Sequence, residues 1–255
     1  MDMMLSGKRA LITGATRGIG RATAERLAAE GCDLAICGRT PASVESAAAA
    51  LQAAHGVKVH AEALDVGDPD RLRAFVNQAG DTLGGLDVVI SNVSAGGGGR
   101  TSPEQWQANF KLDLMAPYHL VDAAIPHMEK AGGGAIVFVS STAALEIFSV
   151  PQPYNVMKAG LINYAKNLSH ALAPKKIRVN AISPGPIWTE DGGWAYLRKN
   201  MPDFYTQTIA QIPAGRMGSP DEIAAAITFL ASPVMGYLTG ANLVVDGGFT
   251  KRVQY

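Results

Sequence analysis

Ten residues near the amino terminus, Leu11-Ile12-Thr13-Gly14-Ala15-Thr16-Arg17-Gly18-Ile19-Gly20, limit what this chain can become more than any other stretch. An apolar run that reads as a strand passes through three glycines into a helical pattern. Glycine lacks a Cβ, so it takes tight backbone angles and lets a ligand approach the main chain. The first turn of the following helix presents N–H groups without intrahelical partners and the positive end of the helix dipole, which together suit an anion. The expected guest is a pyrophosphate. The spacing is G-x-x-x-G-x-G rather than G-x-G-x-x-G, and no Gly-Lys-Ser/Thr follows, which disfavours nucleotide hydrolysis. Because a bare strand-to-helix connection also uses glycines, the residues downstream must decide.

Those residues repeat the strand–helix alternation. Arg9 to Ile12, Asp33 to Cys37, Val57 to Leu64, Leu86 to Ser91, Ala135 to Val139, Ile177 to Ile182 and Asn242 to Val245 read as seven strands. Helices are expected from Ile19 to Ala29, Ala42 to Ala54, after the Asp68-Pro69 start, from Ser102 through His127 with kinks or a division at Pro117 and Pro126, and from Tyr154 to Leu172, Met201 to Ile212 and Asp221 to Ala231. Pro184 to Trp194 reads as a loop. Nearly continuous apolar strands between helices predict an α/β fold: one doubly wound, Rossmann-like domain over residues 1–255 with a seven-stranded parallel sheet, its ligands beyond the carboxyl ends of the strands.

Charge and cysteine usage narrow the partners. Lys plus Arg and Asp plus Glu both total 22, which leaves no excess to attract nucleic acid or an anionic membrane. No apolar run reaches membrane-spanning length, and Lys8-Arg9 interrupts the amino terminus before a signal-sized segment develops. Cys32 and Cys37 flank an expected buried strand, as reduced thiols would in a cytoplasmic protein. The five histidines, at 55, 60, 119, 127 and 170, have no metal-ligand spacing. No metal, nucleic acid or membrane is therefore expected, and a small molecule is the expected partner.

The chemistry concentrates at Tyr154-Asn-Val-Met-Lys158, with Ser140-Ser141 at the end of the fifth strand. Positions 154 and 158 share a helix face, which brings an ammonium near a phenol. A nearby cation favours phenolate, and a serine hydroxyl orients a carbonyl or alcohol. Such a trio can pass a proton to a carbonyl oxygen as hydride reaches carbon, or run the reverse.

With these residues the chain resembles the short-chain dehydrogenase/reductase family over nearly its whole length. Thr13-Gly-Ala-Thr-Arg-Gly-Ile-Gly20 is similar to the family's cofactor turn, Tyr154-x-x-x-Lys158 with Ser141 to its catalytic set, and Ser183-Pro-Gly185 and Asp246-Gly-Gly248 to its later markers. The resemblance implies a homotetramer, or a dimer, in which Tyr154 is the acid/base, Lys158 assists it and holds the nicotinamide ribose, and Ser141 positions the substrate oxygen. Two positions depart from the family pattern: Ser91-Asn92-Val93-Ser94 replaces Asn-Asn-Ala-Gly, and Asp113 stands where an asparagine is usual. Asp113 joins the catalytic set as an acceptor able to pair with Lys158 but unable, when ionised, to donate an amide proton.

The second strand ends Cys37-Gly38-Arg39-Thr40 without an acid to hold the ribose of NAD. Arg39 and Arg17 can surround a 2′-phosphate, so NADP (NADPH) is expected ahead of NAD. By resemblance, Gly14, Thr16, Arg17, Gly18, Ile19 and Gly20 form the phosphate seat. Asp65 and Val66 face adenine, and Asn92, Tyr154, Lys158, Pro184, Gly185, Ile187 and Thr189 face the ribose and nicotinamide. Substrate selection is expected from 94–100, 145–152 and the aromatic stretch 188–205, with 186–215 as a substrate loop or lid. The first expectation for activity, from likeness to 3-oxoacyl-[acyl-carrier-protein] reductases, is NADPH-dependent reduction of a 3-oxoacyl thioester. The alternatives are a dehydrogenase of a sugar, cyclic or aromatic secondary alcohol and a catalytically weak, cofactor-binding scaffold.

Overall fold

A computed structural model describes residues 2–97, 101–147 and 151–253. Seven strands, β1 (Arg9–Thr13), β2 (Asp33–Gly38), β3 (Val59–Ala63), β4 (Val88–Ser91), β5 (Gly134–Val139), β6 (Ile177–Pro184) and β7 (Asn242–Val245), form one sheet. Its order is β3-β2-β1-β4-β5-β6-β7 and every pairing is parallel. The order reverses between β1 and β4, so the crossovers diverge there and leave a crevice at the carboxyl ends, where such sheets bind ligands.

Both faces of the sheet are covered, which explains why β1, β2, β4 and β5 read as nearly continuous apolar runs. On one face α3 (Pro69–Leu83), α5 (Ala116–Lys130) and α6 (Pro153–Leu172) bury Phe75, Leu120 and Leu161 against Leu11, Val89 and Phe138. On the other, α1 (Gly18–Ala29), α2 (Pro41–His55) and α9 (Pro220–Ala231) bury Leu27, Leu51 and Ile227 against Ile12, Ile36 and Val137. Local signals set the helix ends. Asp68 caps α3 by accepting the N–H groups of Asp70 and Arg71, and Pro69 takes the first turn. No helix among the described residues is long and apolar enough to cross a membrane.

Two expectations need correction. The helical region after Ser102 is divided ahead of Pro117, into α4 (Pro103–Asn109) and α5, by a π-helical turn at Phe110–Met115, and α5 then runs through Pro126. Pro117 has no N–H for the carbonyl four residues back, and the wider turn immediately before it absorbs that mismatch. The helix expected over 201–212 is present as α8 (Pro202–Gln211), but the loop expected through Trp194 gives way at Gly193 to a further helix, α7 (Gly193–Asn200). Trp194 stacks on Phe204 with centroids 6.3 Å apart, and Trp188 meets Tyr205 edge-on at 6.0 Å. Trp188, Trp194 and Tyr205 pack with Ile209 on Ile212, Met217 and Phe249 as a small separate core. Parts of the other two expected substrate segments, 98–100 and 148–150, lie outside the described residues.

Candidate active site

The glycine turn is held from β4. Asn92 donates its side-chain amide to the carbonyls of Thr13 (3.0 Å) and Gly14 (3.2 Å), and its main-chain N–H to Thr13 Oγ1 (3.1 Å). Gly14 adopts φ +69 and Gly18 φ +53. A Cβ on Gly20 would collide with the Gly14 carbonyl oxygen, so the helix packs directly on the turn. Around Gly18 the surroundings are open: a Cβ there would meet only Thr189 Cγ2, at 3.7 Å. Arg17, preceding α1, provides no side-chain cap, which leaves the first-turn N–H groups free for an anion. These features fit a dinucleotide pyrophosphate.

Thr16 abuts the end of β2, for a Cβ on Gly38 would lie 2.8 Å from Thr16 Cγ2. Exposed Arg39 follows at once, and no carboxylate ends the strand. The Arg17 guanidinium pairs with Asp191 at 3.1 Å, both groups exposed, linking the turn to the segment before α7. Val66 is buried, while Asp65 is exposed and accepts the Gly67 N–H at 2.9 Å. Pro184 and Gly185 meet the second late marker, since a Cβ on Gly185 would fall 2.7 Å from Asp246 Cβ. Ile187 bridges to Gly218, and Trp188 N donates to the Gly218 carbonyl at 2.9 Å.

Tyr154 and Lys158 lie on α6 where it packs against the end of β5, beside the segment that carries Ser141. Ser141 follows β5 and caps the short turn Thr142–Ala144, its Oγ accepting the Ala143 N–H at 3.1 Å, so the hydroxyl proton is still available to an acceptor. Lys158 is fixed at both ends: Ser140 Oγ donates to its carbonyl (2.9 Å), and Nζ donates to the Val139 carbonyl (2.8 Å). Nζ sits 5.7 Å from the centre of the Tyr154 ring. It also lies 3.1 Å from Asp113 Oδ1, an ion pair whose oxygen receives no hydrogen bond of good geometry. Asp113 Oδ2 accepts from Asn109 Nδ2 (2.8 Å) and Ala95 N (3.3 Å). Asp113 is thus not an exposed helix carboxylate. Sequence reasoning named Ser140 without a role and missed Asn109. The latter's spacing, four residues before Asp113 within one helix, was the available signal.

A cavity of about 730 Å³ opens at the opposite ends of the strands, beside Lys8, Asp87, Gly133, Lys176 and Tyr237. It is remote from this chemistry. Its most buried cation, Arg178, is spent on the carbonyls of Leu230, Ala231 and Ser232 at the end of α9 and on that of Leu238 beyond it.

The family described as enoyl-(acyl carrier protein) reductase matches residues 14–250. Isoepoxydon dehydrogenase patN of Penicillium expansum is 36% identical over 255 residues, covering 98% of each chain. Dehydrogenase/reductase SDR family member 4 of Homo sapiens is 34% identical over 98% of this chain and 90% of its own. The fold is similar to that of L-sorbose reductase from Gluconobacter frateurii, complexed with NADPH and L-sorbose, with a TM-score of 0.92 and 34% identity over 99% of this chain and 100% of that one. With the glycine turn, the Ser141–Tyr154–Lys158 constellation and matches of this extent, the chain belongs to the short-chain dehydrogenase/reductase family.

Proposed function

We propose that the protein is an NADPH-dependent oxidoreductase that interconverts a small sugar-type or ring-bearing ketone with its secondary alcohol. The observation that carries the reading is the likeness, over 99% of the chain, to a reductase holding NADPH and L-sorbose. It favours the sugar and cyclic-alcohol alternative over the 3-oxoacyl thioester expected first. The intact trio argues against a scaffold.

Gly14, Thr16, Arg17, Gly18, Ile19 and Gly20 cradle the phosphates, with Arg39 beside the 2′-phosphate. Asp65 and Val66 border the adenine, while Asn92, Pro184, Gly185, Ile187 and Thr189 line the ribose and nicotinamide end. When bound, the reduced dinucleotide supplies hydride to the carbonyl carbon. Ser141 Oγ donates a hydrogen bond to the carbonyl oxygen, and Tyr154 Oη gives that oxygen its proton. Lys158, immobilised by Ser140 and Val139, stabilises the phenolate that results and orients the ribose. In the alcohol-oxidising direction Tyr154 Oη takes the proton. Residues 186–215, with their aromatic core, cover the substrate side as a lid.

The same reading includes a homotetramer or dimer, for which Trp106 on α4, Phe110 on the π-helical turn and Tyr118 on α5 provide exposed aromatic surface. It also includes a cytoplasmic setting, suited to Cys32 and Cys37, whose thiols burial pushes up to about 12. The test is a panel of ketoses, cyclic ketones and 3-oxoacyl thioesters, each followed by loss of NADPH absorbance. The expected result is turnover of a ketose or cyclic ketone. Preference for the thioesters, or turnover of none, overturns the assignment.

A further inference from the structure

Asn109 is fully buried and polar, and no part of the reaction described above uses it. Its amide nitrogen has two protons, and both have acceptors: one at Asp113 Oδ2, 2.8 Å away, the other at the Gly96 carbonyl, 3.1 Å away. Gln105 Nε2 approaches Asn109 Oδ1 at 3.5 Å, which agrees with this orientation of the amide. The two acceptors belong to different halves of the site. Asp113 turns its other oxygen to Lys158 Nζ. Gly96 belongs to a loop in which Ser94 Oγ accepts the Gly96 N–H at 2.9 Å and Ala95 N reaches the same Asp113 oxygen. The next residue, Gly97, lies on the Tyr154 ring, for a Cβ there would stand 2.9 Å from Tyr154 Cδ1.

We propose that Asn109 is a positioning residue, whose single amide group fixes the Asp113 carboxylate against Lys158 and clamps the 95–97 loop over Tyr154. Few side chains can do both. Serine has one proton to give, leucine none, and an ionised aspartate presents only acceptors to two acceptors. The clamp therefore holds the substrate loop and the counter-ion of the catalytic lysine in one register, and a fault at position 109 reaches Tyr154 from above and below. The titratable groups around it are Asp113 on the adjoining π-helical turn, Lys158 and Tyr154 on α6, and Glu104 at the exposed start of α4; residues 94–97 contribute none. The inference rests on Tyr154 being the proton donor of the proposed reductase.

Its test uses Asn109→Asp, which keeps the volume and removes both donors, and Asn109→Ser, which keeps one. Each is measured by thermal melting, NADPH affinity from fluorescence quenching, kcat and KM across pH, and deuterium uptake at residues 95–97. For N109D at alkaline pH, where the buried carboxyl beside Asp113 gives up its proton, we expect kcat at least tenfold below the native value, with NADPH affinity within threefold. As acidification protonates the new carboxyl, which then donates again, kcat should recover relative to the native enzyme. N109S should show faster uptake at 95–97 and an intermediate kcat. If N109D keeps native kcat, or loses kcat, NADPH binding and melting temperature together with no acid recovery, the proposal is overturned. Should the native protein reduce no carbonyl, the functional reading fails by itself, and the uptake at 95–97 in N109S still decides the clamp: native protection there overturns it.

Discussion

Lys158 Nζ lies 3.1 Å from Asp113 Oδ1, with the lysine 2% exposed and the aspartate not exposed at all. A buried ion pair is a poor stabiliser in itself, because desolvating both charges offsets most of their attraction; removing one partner strands the other and costs about 3–5 kcal/mol. Asp113→Ala should therefore lower the unfolding free energy by about that amount in urea titrations. Asp113→Asn keeps the shape and an acceptor toward Lys158, and should cost less than the alanine variant. A loss under about 1 kcal/mol for D113A would mean that Lys158 relaxes to water and that the pair is not a buried unit.

Removing the Tyr154 hydroxyl separates binding from chemistry. The Tyr154→Phe ring still fills the space under Gly97, and the Lys158 contacts to Val139 and Asp113 are untouched. General acid catalysis by a placed side chain contributes about 10²–10⁴-fold, so kcat should fall by at least about a hundredfold while NADPH affinity changes little. Steady-state kinetics with titration of NADPH fluorescence checks both. Undiminished turnover would remove Tyr154 from the proton path.

The sheet, and the approach of Lys158 to Tyr154 on one helix face, were legible in the sequence because local rules dictate them. Val88–Ser91 is apolar on both faces, as a covered parallel strand must be, and Asp68-Pro69 announces α3 with a cap and a rigid first turn. The less legible features depend on distant partners. Arg17 and Asp191 are 174 residues apart, and nothing local announces that pair. Asn109 reads as ordinary helix surface until the 95–97 loop folds over it. The π-helical turn leaves no clear mark on the apolar periodicity, and α7 starts at Gly192-Gly193 without a capping side chain.

Acid sensitivity should appear at the start of α9. Ser219 and Glu222 form a reciprocal capping box, and Arg216 donates to both Glu222 oxygens, at 2.9 and 2.7 Å. The Arg216 hydrogen bonds, assisted by the Ser219 N–H, hold the Glu222 carboxyl down at about 2. A carboxyl depressed in the folded state stabilises fully above its unfolded value, about 4.3, and that contribution disappears as pH falls through the folded value. The pair is exposed, so the effect is small. Urea unfolding of the native protein and Glu222→Gln should differ by a constant amount from neutral pH to about 4.5 and converge toward pH 2. A gap independent of pH would assign the variant's cost to lost packing.

The seat proposed for the 2′-phosphate is the wall formed by Thr16 against Gly38, at whose edge Arg39 stands exposed with no carboxylate at the end of β2. Hydrogen bonds to charged groups contribute about 1.5–3 kcal/mol, or about ten- to a hundredfold in affinity. Arg39→Asp removes such a bond to the 2′-phosphate and adds repulsion, while offering a carboxylate to the plain ribose. The ratio of kcat/KM for NADPH over NADH should fall by at least about tenfold. Arg17 is the second cation, but Asp191 already occupies it. Asp191→Asn releases that guanidinium, so it should tighten NADPH binding and leave NADH binding nearly unchanged. If R39D leaves the cofactor ratio intact while D191N shifts it, Arg17 alone carries the phosphate. If neither variant shifts it, the selection of NADPH lies outside this wall.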